Sequence, residues 1–212
     1  MKKRILQCLS LILCAALLAI PAAAAETSDD EAAATRPGPV QVWGTLTWLD
    51  DGGLYVENSS EGAAYNAVIL HGESIICLDA VTGEPMDIQD LKDGDTIYAW
   101  VGPEMTDSLP PISTARVILC SIPADFGAPN YAEVETVTQT EDGVDVYMNN
   151  DVVLHLTGDT EYLVAPGWEK ETVSAADIVP GTRLLSWYSV TTMSLPAQAS
   201  PSKVMVFPSD YD

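Results

Sequence analysis

The sequence predicts an all-β protein built from two tandem, related small β-barrels. Three observations carry that expectation. Short runs alternate apolar and polar residues, which is the period of a strand with one face buried. Gly, Asp, Asn and Pro interrupt these runs at close intervals, where local hydrogen bonds or positive φ favour turns. The same succession of turn, strand and long loop also occurs twice. Asp90-Leu91-Lys92-Asp93-Gly94-Asp95 launches Thr96-Ile97-Tyr98-Ala99-Trp100-Val101, and Asp177-Ile178-Val179-Pro180-Gly181-Thr182 launches Arg183-Leu184-Leu185-Ser186-Trp187-Tyr188. Ser108-Leu109-Pro110 is echoed by Ser194-Leu195-Pro196, and Arg116-Val117-Ile118-Leu119 by Lys203-Val204-Met205-Val206.

In chain order, Lys2-Lys3-Arg4, an apolar stretch over residues 5–20 and Ala23-Ala24-Ala25 form a secretory signal peptide over residues 1–25. It is expected to be cleaved near Ala25, leaving the protein outside the cell. Residues 26–39 are expected to be a disordered acidic leader, with Pro37 and Pro39 stopping the extension of any helical turn at Ala32-Ala33-Ala34. The first repeat spans residues 40–123. Its strands are expected at 42–49, 54–57, 67–70, 74–78, 96–101 and 115–120. The first two are joined by Asp50-Asp51-Gly52-Gly53, a hairpin turn. A connector over 79–91 holds one helical turn near Ile88. Residues 124–131 are a linker, and the second repeat spans 132–208. Its strands fall at 136–138, 144–147, 152–156, 160–164, 183–188 and 203–207, with a helical turn over 174–178. Residues 209–212 are a tail. Units of about 80 residues with six short strands fit barrels of the oligonucleotide/oligosaccharide-binding (OB-like) type.

The chain carries 9 basic and 31 acidic residues, a formal charge of −22. Removing Lys2, Lys3 and Arg4 leaves six basic residues and a charge near −25. Such a field repels phosphate backbones and anionic lipid, so neither nucleic acid nor a membrane surface is an expected partner once the signal is removed. It serves solubility, and it permits loosely bound divalent cations.

No motif assembles a catalytic set. There is no Gly-x-Ser-x-Gly, phosphate loop or Cys/His dyad, and the acidic pairs Asp50-Asp51, Asp93/Asp95 and Glu141-Asp142 sit in turns, where they cap backbone. Aligned by the repeat, His71 falls near Thr157 and His155 near Ile69, so the two histidines are unmatched and no metal site or cofactor is expected. Cys77 and Cys120 align with Leu163 and Phe207. They read either as a disulfide of an exported protein or as small buried hydrophobes.

Trp100 and Trp187 match, which predicts one large ring in the core of each repeat. Trp43 and Trp48, five apart on one strand, face opposite sides. Trp48 with Tyr55 across the hairpin is a candidate aromatic platform or, alternatively, a packing pair. The long loops 102–113 and 189–200 either cap a barrel mouth or bind a ligand. Their candidate contacts are Met105, Thr106, Ser108, Ser113, Thr192, Ser194 and Gln198.

The run from Asp90 through Trp100 to Met105-Thr106, Ser108-Leu109-Pro110-Pro111 and Ser113 resembles an uncharacterised secreted β-domain of anaerobic Gram-positive bacteria. That domain often accompanies copper-amine-oxidase N-terminal-like (stalk) modules. The resemblance covers most of residues 42–123 and, more weakly, 133–208, and it implies an exported β-barrel-like protein. No stalk module or sortase signal accompanies it here, and the copper label is not carried over, because this sequence lacks clustered His and Met. The expected function is a secreted, non-catalytic binding or assembly module whose partner is a protein, peptide or glycan. An acidic calcium-responsive surface protein is the alternative, and a hydrolase joining His71 or His155 to a Ser and a carboxylate is a further one.

Overall fold

The computed structural model describes residues 39–208 except Gly62, Ala64, Glu73 and Asp125. The expected signal peptide, nearly all of the expected leader and the expected tail lie outside the described residues. Strand is the dominant structure. Among the described residues the helical segments are 3-10 turns at Ile88–Asp90 and Ala175–Asp177, inside the connectors where single helical turns are expected. The Asp87 carboxylate caps the first by accepting from Gln89 N. Ser174 and Asp177 form a capping box on the second. The ammonium of Lys170 donates to the Asp177 carboxylate and is the main cause holding it below the usual carboxylate range, with the Ser174 N–H helping.

The first sheet contains β1 (Val40–Trp48), β2 (Leu54–Glu57), β3 (Ala67–His71), β4 (Ile76–Asp79), β5 (Thr96–Val101) and β6 (Ile112–Cys120). Antiparallel pairing runs β3-β2-β1-β5-β6, and a parallel pairing of β3 with β6 closes these five strands into a barrel. β6 gives one edge to β5 and divides the other, its first residues pairing with β3 and its last with β4. Apolar residues on the inward face fill the ring, among them Leu46, Leu54, Leu70, Ile97 and Ile118. Alternate residues of β1 point out, as strand pleating requires. At Gly44 a Cβ would lie 2.1 Å from the Glu57 carbonyl oxygen, so only glycine fits there.

The second sheet contains β7 (Asn130–Gln139), β8 (Gly143–Met148), β9 (Val152–Thr157), β10 (Glu161–Val164), β11 (Arg183–Trp187), β12 (Ala197–Ala199) and β13 (Lys203–Phe207). Its pairings follow the first sheet one for one. β9 with β12 is parallel like β3 with β6, and β10 with β13 is parallel like β4 with β6. The counterpart of β6 is broken into β12 and β13, and Pro201, which has no N–H for a ladder, lies in the gap. Its core holds Val134, Val146, Leu154, Leu184 and Val204.

Three sequence expectations need correction. β7 begins at Asn130, well before residue 136, because Asn130 to Glu133 pair with β11. The ends of both long loops belong to strands, since β6 starts at Ile112 and β12 at Ala197. Trp100 and Trp187 lie neither inside the barrel nor in the core of the second sheet. Both tryptophans belong to a third cluster, together with Leu78 and Leu119 of the first sheet and Tyr131, Leu185, Met205 and Phe207 of the second. That cluster joins the outer faces of β4, β5 and β6 to those of β7, β10, β11 and β13. Trp187 Nε1 donates to the Ala80 carbonyl at 2.7 Å across this contact, and Tyr131 lies edge-on to Phe207 and tilted against Trp100. The described residues form one compact unit.

Candidate functional site

The two long loops are built alike. In the first, Ile112 N donates to Thr106 Oγ1 (2.8 Å), the Thr106 and Ser108 hydroxyls share a hydrogen bond of 2.6 Å, and Ser108 Oγ donates to the Pro110 carbonyl (2.8 Å). In the second, Gln198 N donates to Thr192 Oγ1 (2.9 Å), Thr192 and Ser194 share 2.6 Å, and Ser194 Oγ donates to the Pro196 carbonyl (2.7 Å). Since each serine hydrogen is given to a carbonyl, each threonine must donate to its serine. Both chains therefore run one way, from backbone N–H to backbone C=O, with each bond polarising the next. Thr106 N and Thr192 N add backbone bonds to Ile112 O and Gln198 O. The peptide bonds Leu109–Pro110 and Leu195–Pro196 are both cis.

At each tip this scaffold holds a leucine in open solvent. Leu109 is 96% exposed and Leu195 95%. Val190 and Met193 on the second loop are exposed as well. Burying such a leucine in a partner is worth about 1.5–3 kcal/mol. The loop bases face inward. Met105 packs against the barrel's core, and Ser113, itself buried, donates to the Glu104 carbonyl. Of the predicted contact residues, Thr106, Ser108, Thr192 and Ser194 thus form the scaffold, while Met105 and Ser113 anchor the first loop.

A cleft flanks each loop. The first, of about 600 Å³, is lined by His71, Glu104, Thr114 and Arg116 among others. The second, of about 450 Å³, is lined by His155, Thr191, Gln198 and Ser200. The expectation that the histidines are unmatched is overturned by the strand register. Leu70 pairs with Leu54 and Ser113, while Leu154 pairs with Val146 and Ala199, and each histidine follows its leucine by one. His71 and His155 hold the same place in their sheets. Opposite His155 stands Asp145, whose carboxylate meets Nδ1 at 2.7 Å. The corresponding place beside His71 is Gly53, where a Cβ would press on the ring. The Nε2 of His155 lies 3.2 Å from Gln198 Oε1. The hydrogen bond to Asp145 raises the His155 pKa against the smaller opposing effect of burial. The imidazolium form donates from both nitrogens, to Asp145 and to Gln198. That arrangement ties the loop's end to β8.

The Trp48–Tyr55 platform does not form. Trp48 pairs with Leu54 and Tyr55 with Thr47, so the two rings lie on opposite faces. Trp48 turns toward the core, its Nε1 donating to the Leu91 carbonyl. The outward aromatic pair is Trp43 stacked on Tyr98 at 5.7 Å. These are cross-strand neighbours, and their pairing needed a β1–β5 register that local sequence does not supply. Cys77 and Cys120 are free thiols with sulfurs 3.6 Å apart. Their register counterparts are Tyr162 and Val206 rather than Leu163 and Phe207, because Asp79 pairs with Cys120 as Val164 does with Val206. Among the described residues no three His, Cys, Asp or Glu side chains converge as metal ligands, and no helix is long and apolar enough to cross a membrane.

Comparison with protein-family models, curated proteins and solved structures finds no match to this chain.

Proposed function

We propose that the chain is a secreted, non-catalytic binding module of two tandem OB-like barrels, joining a partner outside the cell through its two loop tips. One observation carries the reading: an identical hydroxyl chain, built at two separate places, holds a nearly fully exposed leucine in each. An ordered loop that spends four hydrogen bonds to present an apolar side chain to water is best accounted for by a partner that covers it. The five-strand ring order, closed by a parallel pair, supports the OB-like assignment, and ligand contacts in such barrels use the loops between strands. The acidity favours a protein, peptide or glycan over nucleic acid. Two tips on one body also allow bivalent attachment, in which the second contact forms at high effective concentration.

The test places a photo-reactive residue at position 109 or 195 in the exported protein. Both positions should capture the same partner, and Val179, exposed but outside either loop, should not. The Leu109→Ala/Leu195→Ala protein should fold normally and lose the capture. Equal labelling from all three positions would count against the reading.

A further inference from the structure

Cys77, Cys120 and Met86 bring three sulfur atoms together beside an open cleft. Cys120 Sγ lies 3.6 Å from Cys77 Sγ and 3.2 Å from Met86 Sδ. Main-chain bonds fix the three carriers. Met86 N donates to the Cys77 carbonyl at 2.8 Å, Ala80 N to the Cys120 carbonyl at 2.9 Å, and Leu78 bridges Pro85. The donors are therefore organised before anything binds. A cleft of about 420 Å³ reaches Met86 and Cys120 from solvent, and Asp90 and Asp95 stand on its wall. Those carboxylates draw a cation inward.

We propose that Cys77, Cys120 and Met86 form a binding site for a soft, thiophilic monovalent cation. Thiolate and thioether sulfur select soft ions, and three donors without imidazole or carboxylate do not complete the tetrahedral set that zinc prefers. Uptake replaces the two S–H protons by two sulfur–metal bonds and releases both protons to solvent. The thioether contributes a lone pair and loses nothing. The site belongs to the first half alone, since Tyr162 and Val206 occupy the corresponding positions in the second.

The chain has four cysteines, so the experiment uses the full chain with Cys8→Ala and Cys14→Ala, reduced and kept from air, and silver(I) as the probe. One silver ion per chain should bind against a competing thiol chelator, with two protons released and the melting temperature raised. Excess zinc should not displace it. Cys77→Ala should abolish high-affinity uptake. Met86→Leu, which keeps both thiols and the side-chain volume, should weaken it by about tenfold, the lower end of what loss of a supporting group costs a metal site. Equal affinity in Met86→Leu would overturn the site. So would a Cys77–Cys120 disulfide that, once reduced, yields thiols with no affinity above that of the single thiol in Cys77→Ala.

Discussion

His155 shows how one residue difference separates two otherwise corresponding positions. Asp145 supplies a carboxylate where the first half has Gly53, so this imidazole is paired and its pKa raised. A raised folded-state pKa means that folding favours the protonated ring. The contribution is fully present below the unfolded value of about 6.5 and fades as pH rises through the raised one. In an NMR titration Asp145→Asn should lower the His155 pKa. The stability gap between wild type and that variant should be wider at about pH 5.5 than at about pH 9. An equal gap at both would show that the pair contributes no charge-dependent stability. Gly44 makes a second residue-level prediction. A methyl group 2.1 Å from the Glu57 carbonyl must push β1 from β2, so Gly44→Ala should cost about 2 kcal/mol in denaturant unfolding.

At the scale of the element, the long loops are rigid because threonine and serine hydroxyls replace a ladder the prolines interrupt. Thr106→Val keeps the shape and removes the acceptor for Ile112 N–H. It should cost about 1 kcal/mol and speed amide exchange at Ile112, with Thr192→Val doing the same at Gln198. Unchanged exchange would show that the backbone bond from Thr106 holds the loop by itself. The repeated Ser-Leu-Pro marked these loops in the sequence, and alternation marked most strands. Their ends were not legible, because Ile112 and Ala197 pair in parallel with strands some 45 residues earlier, which no local pattern announces. The histidine mismatch arose in the hairpins. The β7–β8 ladder runs on to Gln139 and Val144, whereas the β1–β2 ladder stops at Trp48 and Leu54. Matching the turns therefore shifted the downstream alignment by two residues.

For the whole molecule, the decisive feature is the cluster between the two sheets. Trp100 and Trp187 were recognisable as a matched pair, but pattern alone reports that a face is apolar and not what it meets. Each ring removes on the order of 200 Å² from water, worth about 5 kcal/mol at most. Trp187 adds a buried bond to Ala80, and Lys203, stacked over the same indole, donates to the Val81 and Thr82 carbonyls. The turn after β4 is thus tied to the second sheet through two stacked side chains, Trp187 and Lys203. Trp187→Ala should cost about 3–5 kcal/mol, and the loss should reach beyond the sheet that carries it. Native-state hydrogen exchange should show lower protection in β4 and β6 as well as in β11 and β13, with one cooperative unfolding transition in the wild type. If protection falls only in β11 and β13, the halves are stable separately, and the shared cluster is a contact between finished domains rather than a common core.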